Sequence, residues 1–253
     1  MPWRQDTRPY YVFVSELMLQ QTQVDRVIPK FSSFIEQFPD EETLAEAPLA
    51  DVLRAWQGLG YNRRAKFLHE AARHVHRLDK FPDAESELIK LPGVGKNTAG
   101  AIVAYSLNKP TLFIETNVRA VYIHHFFGDV DSVDDSSILE KMRETVPWRM
   151  EKNESLPDLS PRDFYWALMD YGSWLKKEGI GPNRSRHYKK QAPLKGSVRE
   201  VRGQIIRELS RHSTTFEELQ KTVINDHRFD TALSGLIKDG LVSRRGNNLY
   251  LTK

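Results

Sequence analysis

Glu16 and Glu115 are the two residues of this sequence best placed to do chemistry. Glu16 lies in VFVSELML, among Val12, Val14, Leu17 and Leu19. A carboxyl partly buried in such surroundings has a raised pKa and can hold a proton near neutrality. Glu115, in FIETNV, is an isolated acid at the head of a helical stretch, where a carboxylate is electrostatically favoured. A protonated acid and an ionised one flanking a pocket can protonate a leaving group and stabilise the positive charge that develops on a sugar. Each residue also has a plain reading that the residue types leave open. Glu16 fits a solvent-facing position on an amphipathic helix, and Glu115 fits a simple helix cap.

A second feature lies upstream of Glu115. Residues 91–101 read LPGVGKNTAGA, a tight turn between the helical stretches SELIK and KNTAGAIVAYSL. Pro92 pre-sets one backbone angle, while Gly93 and Gly95 permit positive φ and close approach. Such a hairpin and the following helix N-terminus can aim backbone N–H groups at one anion, and a DNA phosphate is the natural candidate. An ordinary glycine-containing helical turn has the same sequence signature.

The elements that must position these groups are helices. VDRVIPKFSSFIEQF puts Val24, Ile28, Phe31, Phe34, Ile35 and Phe38 on one face. PLADVLRAW, NRRAKFLHEAARHVHRL and TNVRAVYIHHFFG continue the pattern. SPRDFYWALMDYGSWLKK opens on Ser160 and Pro161, a good helix start. These stripes are core packing, and His124 and His125 read as ordinary helix residues. After a break at QAPLKGS (191–197) come three shorter helices, then LVSRR-GNN-LYLT, a β-hairpin with a glycine–asparagine turn. Three helices and a hairpin in this order resemble a winged-helix domain. Its recognition helix would span Arg228–Asp239, with Arg244 and Arg245 in the wing, serving either DNA or protein contact.

Composition bounds the rest. A chain of 253 residues with 40% hydrophobic content can build one large or two small domains. No apolar run approaches a membrane span, and MPWRQDTRPYY has no signal-peptide core, so a cytoplasmic protein is expected. A net charge of +3 says little, but Lys and Arg cluster in KKEGIGPNRSRHYKKQAPLK (176–195), a phosphate-binding loop or a solvated one. With no cysteine there is no disulfide and no thiolate metal site.

Four segments occur together and in order: PWRQDTRPYYVFVSELMLQQTQV, WQGLGYNRRA, LPGVGKNTAGAI and ETNV. They resemble the adenine DNA glycosylases of the MutY type, in the helix-hairpin-helix base-excision superfamily, from Pro2 to about Lys176. The resemblance implies a mainly α fold with a helix-hairpin-helix glycosylase domain over residues 1–192, to which the three helices and hairpin add a winged-helix-like domain over 197–253. The first would have a six-helix lobe at about 24–114 and a second lobe from 1–23 and 115–192, with the active site between them. It implies that Glu16 protonates adenine N7 and that Glu115 stabilises the sugar cation. Trp3 and Arg4 would line the base pocket, while Gln20, Gln21 and Tyr61 would enter the DNA stack. Gly93, Val94 and Gly95, with Lys96 and Asn97 beside them, would grip phosphate.

Four departures qualify that pattern. The family has Asp where this chain has Glu115, so the carboxylate reaches one methylene further. Most members carry four cysteines after the last helix, holding a [4Fe–4S] cluster. Here the first would fall near Lys176, and no cluster is expected. Arg184, Arg186, Lys189 and Lys190 in that region are expected to keep the phosphate contact without metal. Residues 197–253 read as a winged helix where the family has the domain that reads 8-oxoguanine, and the sequence opens at PWR, where the family has a preceding helix, as either a truncated start or a genuine shortening would give. The lysine nucleophile of related glycosylase-lyases is replaced by Asn97, which cannot form a Schiff base, so hydrolysis without strand cleavage is expected. The expected partner of a monomeric enzyme is double-stranded DNA with a mismatch or lesion, and no membrane. Thymine or uracil excision opposite guanine, and a non-catalytic mismatch sensor, remain open.

Overall fold

The computed structural model describes residues 1–253 except 79, 129, 150–153, 156–158, 189, 190 and 225. The N-terminal stretch contains α1 (Pro2–Gln5), α2 (Pro9–Leu19), α3 (Val24–Gln37), α4 (Glu41–Glu46), α5 (Leu49–Ala55), α6 (Arg63–Val75) and α7 (Glu85–Leu88). It continues through α8 (Lys96–Tyr105), α9 (Thr116–Phe126), α10 (Asp135–Thr145), the short pair β1 (Trp148–Arg149) and β2 (Glu154–Ser155), and α11 (Pro161–Lys177).

α2 is buried nearly all round: Tyr10, Val12, Phe13, Val14, Leu17 and Met18 are all core residues. A helix apolar on every face belongs in an interior. α2 accordingly packs against α3, α6 and α8. That placement carries Glu16 inside, at 9% exposure, and removes the solvent-facing reading. In α3 the buried positions are Val27, Phe31 and Phe34. Val24, assigned to the apolar face from the sequence, is exposed because it is the first residue of the helix. α9 lies on α11, where Gly172 makes the contact possible. A Cβ there would fall 2.4 Å from the Asn117 carbonyl oxygen.

The C-terminal stretch holds α12 (Val198–Arg211), β3 (Thr214–Thr215), α13 (Phe216–Thr222), α14 (Phe229–Lys238), β4 (Val242–Arg245) and β5 (Asn248–Leu251). The anticipated hairpin forms, with Arg245 opposite Asn248 across a turn in which Gly246 takes a φ of 60°. β3 adds to β5, giving an antiparallel order β3-β5-β4. Val201, Ile205 and Leu209 of α12 join Phe229, Leu236 and Leu249 in its core. This module docks on the first. Arg54 Nε donates to the Ser210 carbonyl at 3.0 Å, and Lys66 Nζ donates to the Asp239 carbonyl at 2.7 Å. The C-terminal end of α14, the helix read as a recognition element, is therefore engaged by α6.

Candidate active site

Glu115 is the N-cap residue of α9, yet its side chain makes no capping hydrogen bond. Its carboxylate instead shares a hydrogen bond with the Glu16 carboxyl. Burial drives the Glu16 pKa well above the usual carboxylate range, and the Glu115 charge and the shared hydrogen bond add to the rise. Burial raises Glu115 too, but three influences oppose it: the hydrogen bond from Glu16, and the charges of Arg119 and Lys176. Both carboxyls remain raised, Glu16 the more strongly, so the pair's proton is held preferentially on Glu16. Arg119 is itself fixed by a two-pronged ion pair with Asp135, at 2.8 and 2.6 Å.

The backbone on both sides of Glu115 is held by neighbouring side chains. The Tyr165 hydroxyl accepts from the Phe113 amide and donates to the Thr111 carbonyl, both at 3.1 Å. Asn97 Oδ1 accepts from the Ile114 amide at 3.3 Å, which ties α8 to this segment. Asn117 Nδ2 donates to the Met169 carbonyl at 3.0 Å. Burial first, then the charges of Glu115 and Glu16, push the Tyr105 phenol well above its ordinary range, and its hydroxyl has no hydrogen-bond partner among the described residues. Arg4 makes two 2.8 Å bonds to Asp170 and lies over the Trp166 ring. Trp3 is buried edge-on against Phe31, 5.2 Å between centroids, and is a core residue at this position.

Gln20, Gln21 and Tyr61 come together at the end of α2. Gln21 and Tyr61 have φ of 54° and 46°, two of three positive-φ non-glycine residues among those described. A bulky side chain in the left-handed region is strained, and such strain collects at functional sites. The group that bridges the two turns is Arg64, which in the sequence reads as part of a helical stripe. Its buried guanidinium donates to the carbonyls of Leu17, Met18 and Gln20 at 2.6–2.9 Å, and to those of Leu59 and Gly60 at 3.1–3.2 Å. One side chain therefore pins both turns. Gln20 Nε2 also reaches the Gly93 carbonyl and Thr98 Oγ1, at 3.4 Å each.

The 92–95 hairpin forms, but of its two glycines Gly93 alone has positive φ; Gly95 is the extended N-cap of α8, with a φ of -92°. Gly93 takes a φ of 78°, and a Cβ there would fall 2.8 Å from Phe67 Cβ, so only glycine fits. The Val94 amide closes the turn on the Leu91 carbonyl at 3.1 Å, and Gly95, Lys96 and Asn97 are exposed at the start of α8. In the basic loop, Arg186 is exposed, bonded to Ser132 and near Asp134. Arg184 requires a correction. Its guanidinium turns inward to the carbonyls of Ile123, Phe127, Gly128 and Val130, satisfying the open C-terminus of α9 rather than facing solvent. Lys189 and Lys190 lie outside the described residues. The sequence has no thiolate to offer an iron–sulfur cluster after α11, and lysine and arginine occupy the region, so the residues present do not fit that group.

Comparison with known proteins agrees with this geometry. Residues 14–147 match the HhH-GPD superfamily base excision DNA repair protein family. The chain is 31% identical to the adenine DNA glycosylase of Mycolicibacterium smegmatis, covering 99% of this chain and 90% of that protein. It is 34% identical to that of Mycobacterium tuberculosis (strain H37Rv), covering 96% and 86%. With the adenine DNA glycosylase of Buchnera aphidicola subsp. Baizongia pistaciae it shares 35% identity over 69% of this chain and 48% of that protein. The chain thus spans about half the length of the Buchnera relatives it matches. Among solved structures, a thermostable thymine-DNA glycosylase superposes with a TM-score of 0.59 at 25% identity, covering 68% of this chain and 77% of that one. A non-covalent endonuclease III–DNA complex shares the fold with a TM-score of 0.54 at 17% identity, covering 74% and 78%. The extent of these matches shows that the chain belongs to the HhH-GPD superfamily of base excision DNA repair proteins and, within it, to the adenine DNA glycosylases of the MutY type.

Proposed function

We propose that the protein is a monofunctional DNA N-glycosylase that extrudes and hydrolytically removes adenine mispaired with guanine or 8-oxoguanine. The observation that carries this reading is the Glu16–Glu115 pair, a buried acid bonded to a buried carboxylate. In the reaction Glu16 gives its proton to adenine N7 as the C1′–N9 bond breaks. The Glu115 carboxylate faces the sugar cation, and water adds to C1′ with loss of its proton to a carboxylate. Asn97 has no nucleophilic nitrogen and is bonded to the Ile114 amide, so strand cleavage through a Schiff base has no agent at that position. No cofactor takes part in this scheme.

The substrate is double-stranded DNA, bound by a monomer. Gln21, with Gln20 beside it, wedges into the DNA stack, Tyr61 intercalates next to the opposing guanine, and the 93–97 hairpin and Arg186 hold phosphates. The C-terminal stretch is a winged-helix-like domain over 197–253, joined to a glycosylase domain over 1–192. Among the described residues no helix is long and apolar enough to cross a membrane. The likeness to a thymine-DNA glycosylase favours thymine opposite guanine as the second reading. A base-release assay on A:8-oxoguanine, A:G, T:G and U:G duplexes, with strand breaks developed by alkali, decides. Adenine release dependent on alkali for breakage is expected. Release of thymine alone, or breakage without alkali and an adduct trapped by borohydride, would replace this reading.

A further inference from the structure

Tyr105 closes α8 with a buried side chain, 7% exposed, whose hydroxyl has no hydrogen-bond partner among the described residues. A buried polar group left without a partner is costly, and each one calls for a reason. The ring sets where this hydroxyl lies. It packs edge-on against Phe113, 5.8 Å between centroids, and against Tyr165 at 6.4 Å. Phe113 stands two residues ahead of Glu115, and α8 packs on α2, which carries Glu16. The charged and titratable groups facing Tyr105 are Glu115 from the cap of α9, Glu16 from α2, Tyr165 from α11 and Arg4 from α1. Two of these are committed elsewhere. The Tyr165 hydroxyl bridges Thr111 and Phe113, and Arg4 is paired with Asp170. The other two are the carboxyls bonded to each other.

That bond cannot last through the reaction. Once Glu16 turns its proton to the extruded base, Glu115 loses a hydrogen-bond donor. After transfer, two buried carboxylates stand side by side, and their repulsion draws the proton back. Arg119 and Lys176 act on Glu115 by charge, not by a hydrogen bond, and Arg119 is held on Asp135. The uncommitted hydroxyl beside the pair belongs to Tyr105. We propose that Tyr105 is a positioning residue for excision: its hydroxyl, free in the resting enzyme, donates to the Glu115 carboxylate when the base takes the Glu16 proton. The new bond keeps Glu115 anionic and aimed at the sugar. The inference rests on the glycosylase reading and deepens it, adding a third side chain to the acid pair. It also gives the unpaired hydroxyl its reason, since a hydroxyl already bonded would have to give up that partner first.

Tyr105→Phe removes the oxygen and keeps the ring against Phe113 and Tyr165. Single-turnover release of adenine from an A:G duplex should fall by about tenfold or more, the scale of one hydrogen bond to a charged group. The acid limb of the pH–rate profile reports the ionisation of Glu115 in the complex with DNA. Losing a donor to a carboxylate raises its pKa, so this limb should move to higher pH by about one unit, the same tenfold read on the pH axis. The Tm of the free protein should stay level or rise, because it loses a group that had no partner. Affinity for a duplex carrying a tetrahydrofuran abasic analogue should stay within about twofold, since ground-state binding is untouched. Excision within about twofold of the wild type would overturn the inference. So would a loss of rate with an unmoved acid limb, or a lowered Tm, which would make the hydroxyl part of the fold. A wild type that releases adenine, matched by Tyr105→Phe, would retain the glycosylase reading and remove this one alone. A wild type that releases no adenine would remove both.

Discussion

The Glu16 carboxyl hydrogen-bonds the Glu115 carboxylate, joining a largely buried helix to the N-terminus of another. Two like-charged groups this close cannot both ionise. The surroundings decide which one keeps the proton. Arg119 and Lys176 are near Glu115, and Glu16 is packed among apolar side chains. Their acidities are pushed apart, the arrangement an acid and an anionic partner require.

Glu16→Gln should abolish excision, by at least the 10²-fold or so typical of a lost general acid, while DNA affinity stays within a few-fold. Stability should move the other way. A carboxyl raised in the folded state gives stability that is complete below its unfolded pKa and is lost as pH rises through the folded one. The amide has no such loss. Thermal unfolding should therefore show Glu16→Gln gaining on the wild type as pH climbs above the ordinary glutamate range. A wild type and variant with parallel Tm–pH curves would contradict the raised acidity.

Arg64→Lys should loosen both turns. An ammonium cannot serve the five carbonyls that Arg64 reaches at 2.6–3.2 Å. Several lost hydrogen bonds at about 1 kcal/mol each predict a stability loss on the order of 3 kcal/mol. Base extrusion, read by 2-aminopurine fluorescence, should fall with it. Normal extrusion in a destabilised variant would make Arg64 a fold residue only.

Much of this architecture is legible in the sequence. The long helices follow from their apolar stripes, and the 92–95 turn and the terminal hairpin follow from Gly93 and from Gly246–Asn247. Glu16 stands out because everything around it is apolar. Arg64 does not, since an arginine in an amphipathic helix reads as solvated and nothing local signals five carbonyls converging from two turns. Arg199 is hidden for a related reason: its contact with Tyr61 spans 138 residues. Arg184 was misread because positive charge in a basic stretch does not reveal that an open helix end will take it. β3, two residues long, has too little pattern to detect.

Arg184 and Arg186, two residues apart, should behave differently. Arg186→Ala should flatten the salt dependence of duplex binding by roughly 0.9 in log–log slope, as for one lost phosphate contact on B-DNA. Arg184→Ala should leave that slope unchanged and lower the Tm, because the carbonyls of Gly128 and Val130 lose the Arg184 donor and those of Ile123 and Phe127 keep only their backbone one. Salt titrations and melting curves on the two variants check both, and a flattened slope for Arg184→Ala would return it to the DNA surface.

Glu115 is where the sequence leaves the family's usual residue, and the geometry sharpens the question. A cap would be replaceable, but the Glu115 side chain does not cap α9. Its carboxylate balances the proton on Glu16, so Glu115→Gln should collapse single-turnover excision while the fold survives. It should also leave Glu16 without its anionic neighbour, so the upper pH limb of any residual activity should shift downward. Glu115→Asp asks whether the pocket is built for the longer acid. The segment before it is fixed at Thr111, Phe113 and Ile114 by Tyr165 and Asn97, so the backbone cannot follow a retracted carboxylate. Shortening by one methylene should therefore break the bond to Glu16. On the scale at which about 1 Å of misplacement costs on the order of a hundredfold, activity should drop by one to two orders of magnitude. A rise in activity for Glu115→Asp would show that the pocket still fits the shorter acid. Less than about a twofold change in both variants would remove Glu115 from the mechanism, the twofold limit being well below any loss expected for a transition-state contact.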